Sequence, residues 1–452
     1  MTRTLKLPEK VQYLIQTLRA HGHDGYAVGG CVRDALLGRT PHDWDITTSA
    51  KPPEIKELFS HTVDTGIAHG TVTVLLGGEA FEATTYRIDG EYEDSRHPKE
   101  VTFTASLEED LKRRDFTINA MAYNDEAGLV DLFEGEKDLE IGTIRCVGEA
   151  RERFGEDALR MLRAVRFAAQ LGFSVEEETS QAISDMAGDL SKISAERICS
   201  ELEKLIISPN PSCLRLAWEL GITGVVLPEF DAAMNQPQNN EHHFLNVGEH
   251  TLLTMESIEA DRILRFTMLL HDLGKPACVW TDEKGILHFT GHARTSGEMA
   301  QTILRRLKVD NHSRERIVTL IKNHSLYPPR TDEGVRLAVH QVGPDCFEDF
   351  LKVKRADIYG HSQLVRGKKL DWLDDIEKRY RIIKERGDCL CLKDLCIGGR
   401  DLLEAGLEKG PGIGRILEEL LADVLRDPDH NNREYLLKRA LELPDLEGGK
   451  QP

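Results

Sequence analysis

Two aspartates one residue apart, Asp43 and Asp45 around Trp44, stand directly before an apolar run that begins at Ile46. Residues i and i+2 of a strand project to the same side, so the two carboxylates are expected to face one point. Paired carboxylates on a rigid strand are what a two-Mg²⁺ phosphoryl-transfer site needs, where the ions activate a hydroxyl and steady a leaving pyrophosphate. Glu82, in AFEATTYR (80–87), lies on another expected strand and offers a third carboxylate. Upstream, Gly29 and Gly30 fall where the strand GYAVGG hands over to a helix starting near Val32. Two glycines there permit close backbone approach to phosphates, and the helix start presents free N–H groups. Arg33 sits beside that anion site. A lone GG is usually a turn and a lone DxD usually a solvated loop. The conjunction GGxVRDxLLGxxxxDxD over residues 29–45 is far more specific.

The elements around these residues change character along the chain. Residues 1–150 alternate apolar runs, such as GTVTVLLGG (70–78), with turn signals and with helical stretches such as PPEIKELF (52–59) and LEEDLKRR (107–114), which reads as mixed α/β. The N-terminal stretch MTRTLKLPEKVQYLIQTL reads as a short amphipathic helix rather than a signal peptide. From about residue 152 the pattern is helical, with 155–173 and 195–206 both apolar at helical spacing. Residues 228–245 are polar and read as a linker or loop. Residues 246–365 are helical and histidine-rich, and 366–452 are charged and helical, with EGGKQP expected to fray. The fold class is multidomain α+β.

The 452 residues carry 58 basic and 77 acidic side chains, a net charge of −19. A chain this acidic should not coat nucleic acid indiscriminately, so a polyanion would have to be met through local basic faces or metal ions. Nine scattered cysteines without a CxxC pair fit a reducing compartment, and no run of 18 apolar residues exists. The chain is therefore expected in the cytoplasm, away from membranes.

The 28–46 segment closely resembles the active-site signature of the class II tRNA nucleotidyltransferase and bacterial poly(A) polymerase family. KRRDFTINAMAY (112–123) is similar to that family's second motif, and DLFEGEKDL (131–139) to its head–neck connection. The resemblance implies that Arg114 contacts the triphosphate while Asp115 and Asn119 order the site. In EDALRMLRAVRF (156–167), Asp157, Arg160, Arg163 and Arg166 recur every three residues and should share one broad helix face. By resemblance to the EDxxR motif, Asp157 and Arg160 read the base of CTP or ATP, since a carboxylate beside a guanidinium fork can read a base edge. Arg163 and Arg166 then help to hold the nucleotide and its phosphates. The polar segment 87–111 resembles the full-length flexible loop needed to add the terminal A. The implied activity is Mg²⁺-dependent addition of C, C and A to the tRNA 3′ end. Bacterial poly(A) polymerases share the same motifs and stay open as the alternative.

The order His250, His271-Asp272, His292, His324, Asp357 resembles the HD superfamily of metal-dependent phosphohydrolases. His250, His271, Asp272 and Asp357 would hold one metal, and His292 and His324 a second metal or a phosphate. Mn²⁺, Ni²⁺, Fe²⁺ and Mg²⁺ all suit such ligands. Lys275 could contact a substrate phosphate, and the implied substrates are 2′,3′-cyclic phosphates or phosphorylated RNA ends. A phosphohydrolase whose N-terminal half only binds RNA is thus a third reading. His242, His243 and His361 read as loop or surface residues. The expected domains are a nucleotidyltransferase head (1–150), a helical neck and RNA-binding body (151–240), an HD domain (241–365) and a helical, tRNA-contacting tail (366–452). Candidate RNA contacts are Lys112 and Arg113; Arg305, Arg306 and Lys308; and Arg366, Lys368 and Lys369.

Overall fold

The computed structural model describes residues 4–89, 101–239 and 244–443. Its internal contacts divide the chain into two units, Met1–Asp231 and Ala232–Pro452.

The first unit contains strands β1 (Gly25–Val28), β2 (Ile46–Thr48), β3 (Thr62–Gly66), β4 (Thr71–Leu76), β5 (Glu79–Thr85), β6 (Arg87–Asp89), β7 (Val101–Phe103), β8 (Met121–Asn124) and β9 (Gly128–Asp131). Seven of them form one mixed sheet in the order β3-β4-β5-β2-β1-β8-β9. Only the β2–β5 pair in it is parallel. On β5, Phe81 and Ala83 are buried while Glu82 between them is exposed, so period-2 alternation sets that strand's inner face; on β4, Val72, Thr73 and Val74 are all buried. The helix Glu9–Ala20 buries Val11, Leu14, Ile15 and Leu18 on a single stripe, as its amphipathic pattern predicts.

Three expectations change. Asp43 and Asp45 lie in extended chain just ahead of β2, not within it. The ladder stops there as β1 ends at Val28, whose N–H donates to the Asp45 carbonyl (3.0 Å), before the chain turns at Gly29 (φ +82°). The helix expected over 155–173 is broken at Asp157 into Ala150–Glu156 and Leu159–Leu171. Asp157 is extended (φ −144°, ψ 102°), and its carboxylate accepts from Leu159 N (3.1 Å), a local bond that competes with helical continuation. Within the expected loop 228–245, Pro228–Met234 is a helix; proline lacks an N–H and suits a first helical position. Phe230, Ala233 and Met234 give that helix its buried side.

Strands β6 and β7 pair antiparallel as a separate two-stranded sheet. The segment 90–100 between them, part of the stretch expected to be non-rigid, lies outside the described residues, as do the EGGKQP end and His242 and His243.

The second unit is helical apart from the small hairpin Trp280–Thr281 and Leu287–His288. The helices Val247–Glu256, Arg262–Leu270, His292–Arg306, Asn311–Asn323 and Phe347–Tyr359 carry the expected histidine and aspartate positions on or beside them. A separate apolar cluster of Leu402, Leu420, Leu421, Val424, Leu425 and Leu436 holds the C-terminal helices.

Candidate functional site

In the first unit the structure sets Asp43, Asp45 and Glu82 near one another, though their oxygens do not gather as tightly as the ligand atoms of the histidine cluster in the second unit. Ile46 pairs with Ala83 across the parallel β2–β5 ladder, so Glu82 arrives beside Asp45. The Asp45 carboxyl is pushed up to about 6 by burial first, then by the negative charges of Asp43 and Glu82. Neighbouring carboxylates whose mutual repulsion raises one of them would be eased by a cation, and hard oxygen ligands fit a hard divalent ion.

Gly29 and Gly30 form the turn between β1 and the helix Gly30–Leu36. Gly29 adopts φ +82°, and a Cβ placed there would come 3.0 Å from Arg114 Nη1. Arg114 thus lies against the glycine turn. Its Nη2 reaches Asp110 Oδ2 (3.3 Å), while its Nε is buried without a hydrogen-bond partner. A guanidinium held from one side by a carboxylate, with a donor left over beside an open turn, is suited to an anionic phosphate. Arg33 donates from Nη1 to Asn119 Oδ1 (2.7 Å), and Asn119 Nδ2 in turn bonds Asp115 Oδ1 (3.1 Å).

The neck arginines are more occupied than a solvated stripe would be. Arg163 forks onto Asp115 Oδ2 (2.8 and 2.5 Å), and this guanidinium with Asn119 holds the Asp115 carboxyl well below the usual range despite its burial. Arg166 donates to Glu201 Oε2 (2.9 Å) and Gln170, and its guanidinium lies 3.5 Å from the Phe167 ring centroid. Arg33 (5.1 Å) and Arg163 (5.4 Å) address the same ring, so Phe167 gathers arginines from both the turn helix and the neck helix. Arg160 bonds Glu156 Oε2 (2.5 Å) and the carbonyls of Arg153 and Arg113. Asp157 receives a two-pronged bond from Arg197 (2.7 and 3.2 Å). Arg197, Glu201 and Asp110 were not singled out in the sequence. The pairing also removes Arg113 from the free candidate RNA contacts, since it is bound to Asp110 (2.7 Å).

One consequence concerns pH. The Asp45 carboxyl sits at about 6, above the ~3.9 of an unfolded aspartate. Its contribution to stability is therefore fully present below about pH 4 and lost as pH rises through about 6, by an amount that solvent screening of this exposed side chain keeps small. Mg²⁺ should reverse the loss. The rise in melting temperature on adding Mg²⁺ is expected to be larger at pH 7.5 than at pH 5, and this difference should shrink in Asp45→Asn. An equal Mg²⁺ effect at both pH values would refute it.

In the second unit, His250, His271, Asp272, His292, His324 and Asp357 converge. Asp272 is central. Its Oδ2 faces His271 Nε2 (3.2 Å) and His250 Nε2 (3.5 Å), and its Oδ1 faces His292 Nε2 (3.4 Å) and His324 Nε2 (3.5 Å). Oδ1 is buried and makes no hydrogen bond. Asp357 Oδ1 lies 3.2 Å from His250 Nε2. Two trios, His250–His271–Asp272 and Asp272–His292–His324, thus share one carboxylate. Nδ1 of His271, His292 and His324 lies 2.7–2.8 Å from a main-chain carbonyl, and that of His250 lies 3.3 Å from Gly360 O. Such bonds fix the tautomer and leave each Nε2 lone pair aimed inward. Metal bonds of about 2.1 Å place neighbouring ligand atoms roughly 3.0–3.4 Å apart, close to the separations here. Gly360 is required at this spot, since a Cβ on it would meet the His250 ring at 2.5 Å.

One expectation about this region is corrected. His361 is not a surface residue. It lies in the bend between the helices Phe347–Tyr359 and Gln363–Arg386, yet is 4% exposed, because its ring stacks on His250 of the helix packed there. Lys275 is buried and already paired, with Asp272 Oδ2 and Gln238 Oε1 each at 2.7 Å.

Similarity to known proteins fits this arrangement. Residues 25–145 match the poly A polymerase head domain, 172–234 the family described as "Probable RNA and SrmB- binding site of polymerase A", and 279–440 tRNA nucleotidyltransferase domain 2. The chain is 36% identical over 433 residues to a CCA-adding enzyme of Lactiplantibacillus plantarum, covering 96% of this chain and 95% of that one. A CCA-adding enzyme of Pediococcus pentosaceus is 35% identical, with 96% and 98% covered. The crystal structure of the Bacillus stearothermophilus CCA-adding enzyme in complex with CTP superposes with a TM-score of 0.71 at 30% identity, over 97% of this chain and 98% of that one. The Thermotoga maritima CCA-adding enzyme complexed with tRNA shares the fold, with a TM-score of 0.58 at 22% identity and 96% of each chain covered. Identity sustained over the whole length, a carboxylate trio beside a glycine turn and a paired-arginine neck agree with one another: the chain belongs to the CCA-adding enzyme family of nucleotidyltransferases.

Proposed function

We propose that this chain adds C, C and A to the 3′ end of tRNA from CTP and ATP in the cytoplasm, with Mg²⁺ held by Asp43, Asp45 and Glu82. The observation that carries the residue assignment is the convergence of those carboxylates beside the turn at Gly29, against which Arg114 lies with an unpartnered Nε. Bound Mg²⁺ there supplies acidity to the attacking hydroxyl and neutralises developing charge. The tRNA 3′-hydroxyl loses its proton to solvent and its oxygen forms a bond to the α-phosphorus, the bond from that phosphorus to the β-phosphate oxygen breaks, and pyrophosphate leaves. Gly29, Gly30, Arg33 and Arg114 cradle the triphosphate, Asp157 and Arg160 read the base edge, and Arg163 and Arg166 brace the pocket through Asp115, Glu201 and Phe167. Positioning and charge neutralisation do most of the work, with no covalent enzyme intermediate.

The test is incubation with Mg²⁺, CTP and ATP, using tRNA lacking CCA and an unrelated RNA. Three nucleotides added to the tRNA are expected. Long tails made from ATP alone would favour the poly(A) alternative, against which the full-length CCA-adding relatives argue.

A second reading concerns the histidine–aspartate cluster, favoured by inward Nε2 atoms around an unbonded Asp272 oxygen. It binds divalent metal, Mg²⁺ or a transition metal, and acts as a phosphohydrolase on 2′,3′-cyclic phosphates or phosphorylated RNA ends. Replacing His271 and Asp272 together by alanine is expected to remove the metal retained by this cluster, measured by mass spectrometry, while CTP incorporation stays within about threefold of wild type. Collapse of transfer in a folded variant would require the two sites to be coupled.

A further inference from the structure

Asp110 is a fully buried carboxylate near the end of the helix Leu107–Lys112, outside the residues assigned to metal, triphosphate or base. Its two oxygens are divided. Oδ1 accepts a two-pronged bond from Arg113, from Nε (3.0 Å) and Nη2 (2.7 Å). Oδ2 accepts from Thr47 Oγ1 (3.0 Å) and from Arg114 Nη2 (3.3 Å). Burial works against its charge, but the guanidinium of Arg113, then that of Arg114, hold the carboxyl below its ordinary value, so it stays ionised. The helix that carries it is pinned at its end from the neck. There Arg160 donates to the Arg113 carbonyl (3.0 Å) and Arg153 to that of Lys112 (3.2 Å).

Oδ2 joins two parts of the site. Thr47 stands on β2, two residues beyond Asp45, and residues two apart in extended chain project to one side. Its partner across the parallel ladder is Thr84, two beyond Glu82 on β5. Thr47 therefore belongs to the pair of strands that delivers two of the carboxylates. Arg114 lies against the turn at Gly29 with its Nε unpartnered. One carboxylate oxygen thus ties the chain bearing the proposed metal ligands to the guanidinium that faces the phosphates. Charge points the same way. One carboxylate faces two guanidiniums, and Arg113 takes the shorter bonds. Arg114 is thereby oriented without being neutralised, and its excess charge is left for an anion. A carboxylate that only fastened its own helix would be served by Arg113 alone.

We infer that Asp110 is a positioning residue for nucleotidyl transfer. Through Oδ2 it holds Arg114 in register with Thr47, and so with the run at Asp45, which brings triphosphate and metal into one geometry. The inference rests on the reading of Asp45 as a metal ligand and of Arg114 as a triphosphate contact.

The experiment is CTP incorporation by the full chain with Mg²⁺ and tRNA lacking CCA, giving kcat and the KM for CTP, with circular dichroism on every variant. The variants are Thr47→Val, Thr47→Ser, Asp110→Asn, Arg114→Met, and the last two combined. Asp110→Asn leaves buried guanidiniums uncompensated and risks the fold, whereas Thr47→Val removes one neutral bond from a strand that favours valine. In Thr47→Val, kcat is expected to fall about tenfold with KM within about twofold, and Thr47→Ser to recover it, because small misplacements around reacting atoms cost rate. In folded Asp110→Asn, kcat/KM is expected to fall about tenfold or more, and the combined variant to be no worse than Arg114→Met, because Asp110 acts through that guanidinium. Wild-type turnover in Thr47→Val or in folded Asp110→Asn overturns the inference, as does a loss in Thr47→Val that Thr47→Ser shares. Losses of Asp110→Asn and Arg114→Met that add in full also overturn it, by making Asp110 a support of the fold. Wild-type kcat/KM in Arg114→Met overturns instead the triphosphate reading beneath it.

Discussion

Replacing Asp45 by alanine is expected to slow nucleotide transfer by about 10³-fold or more, the scale on which removal of preorganised charge stabilisation acts. The effect should appear in the single-turnover rate of CTP incorporation rather than in tRNA binding. The same substitution should carry an opposite signature in the metal-free protein. Desolvation first, and then the charges of Asp43 and Glu82, raise the Asp45 carboxyl to about 6. Its removal relieves that repulsion, so the melting temperature without metal should rise at pH 7.5 while activity is lost. Loss of activity together with loss of stability would point to simple damage of the fold. Turnover within tenfold of wild type would sink the assignment of Asp45 as a metal ligand.

Asp157→Ala is expected to blur the choice among CTP, ATP and UTP, with discrimination falling about tenfold to a hundredfold, the range of a charged hydrogen bond. The structure gives this expectation a second part. Asp157 is held by the Arg197 fork, and its carboxylate also accepts from Leu159 N at the start of the helix Leu159–Leu171. Arg197→Lys keeps the charge but cannot reproduce the two-pronged bond, so it should lower discrimination less than Asp157→Ala does. The measurement is kcat/KM for each nucleotide on tRNA ending in one or two C residues. Unchanged discrimination in Asp157→Ala, with the protein folded, would count against base reading by this carboxylate.

What could be read from the sequence follows from distance along the chain. The glycine turn, the Asp43–Asp45 pair and Glu82 each belong to a single local element, and the pattern of alternating strands that positions them is itself local. The ordered histidines were also legible, because each lies in a short motif on or beside a helix. The partners of the neck arginines were not. Glu201 is 35 residues from Arg166, and Arg197 is 40 from Asp157. A stripe of arginines gives no sign of carboxylates arriving from another helix. His361 failed for the same reason. Its neighbours in YGHSQ are polar and suggest a surface turn, whereas its burial comes from the helix of His250, more than 100 residues earlier. The break at Asp157 was hidden because the apolar periodicity runs through it, and only the bond of its side chain to Leu159 N reveals the interruption. The acidity of the chain also looks different once pairing is visible: several of its acids serve as the counter-charges of Arg160, Arg163, Arg166 and Arg197.

Asp272 belongs to both histidine trios, one oxygen to each. Two ions held there could not fill independently. The first to arrive would draw Asp272 away from Lys275 and fix its rotamer, so the second would meet a ligand already freed and oriented, yet also the charge of its neighbour. Occupancy would then follow a linked isotherm, steeper or shallower than a single-site curve according to which of these effects is larger.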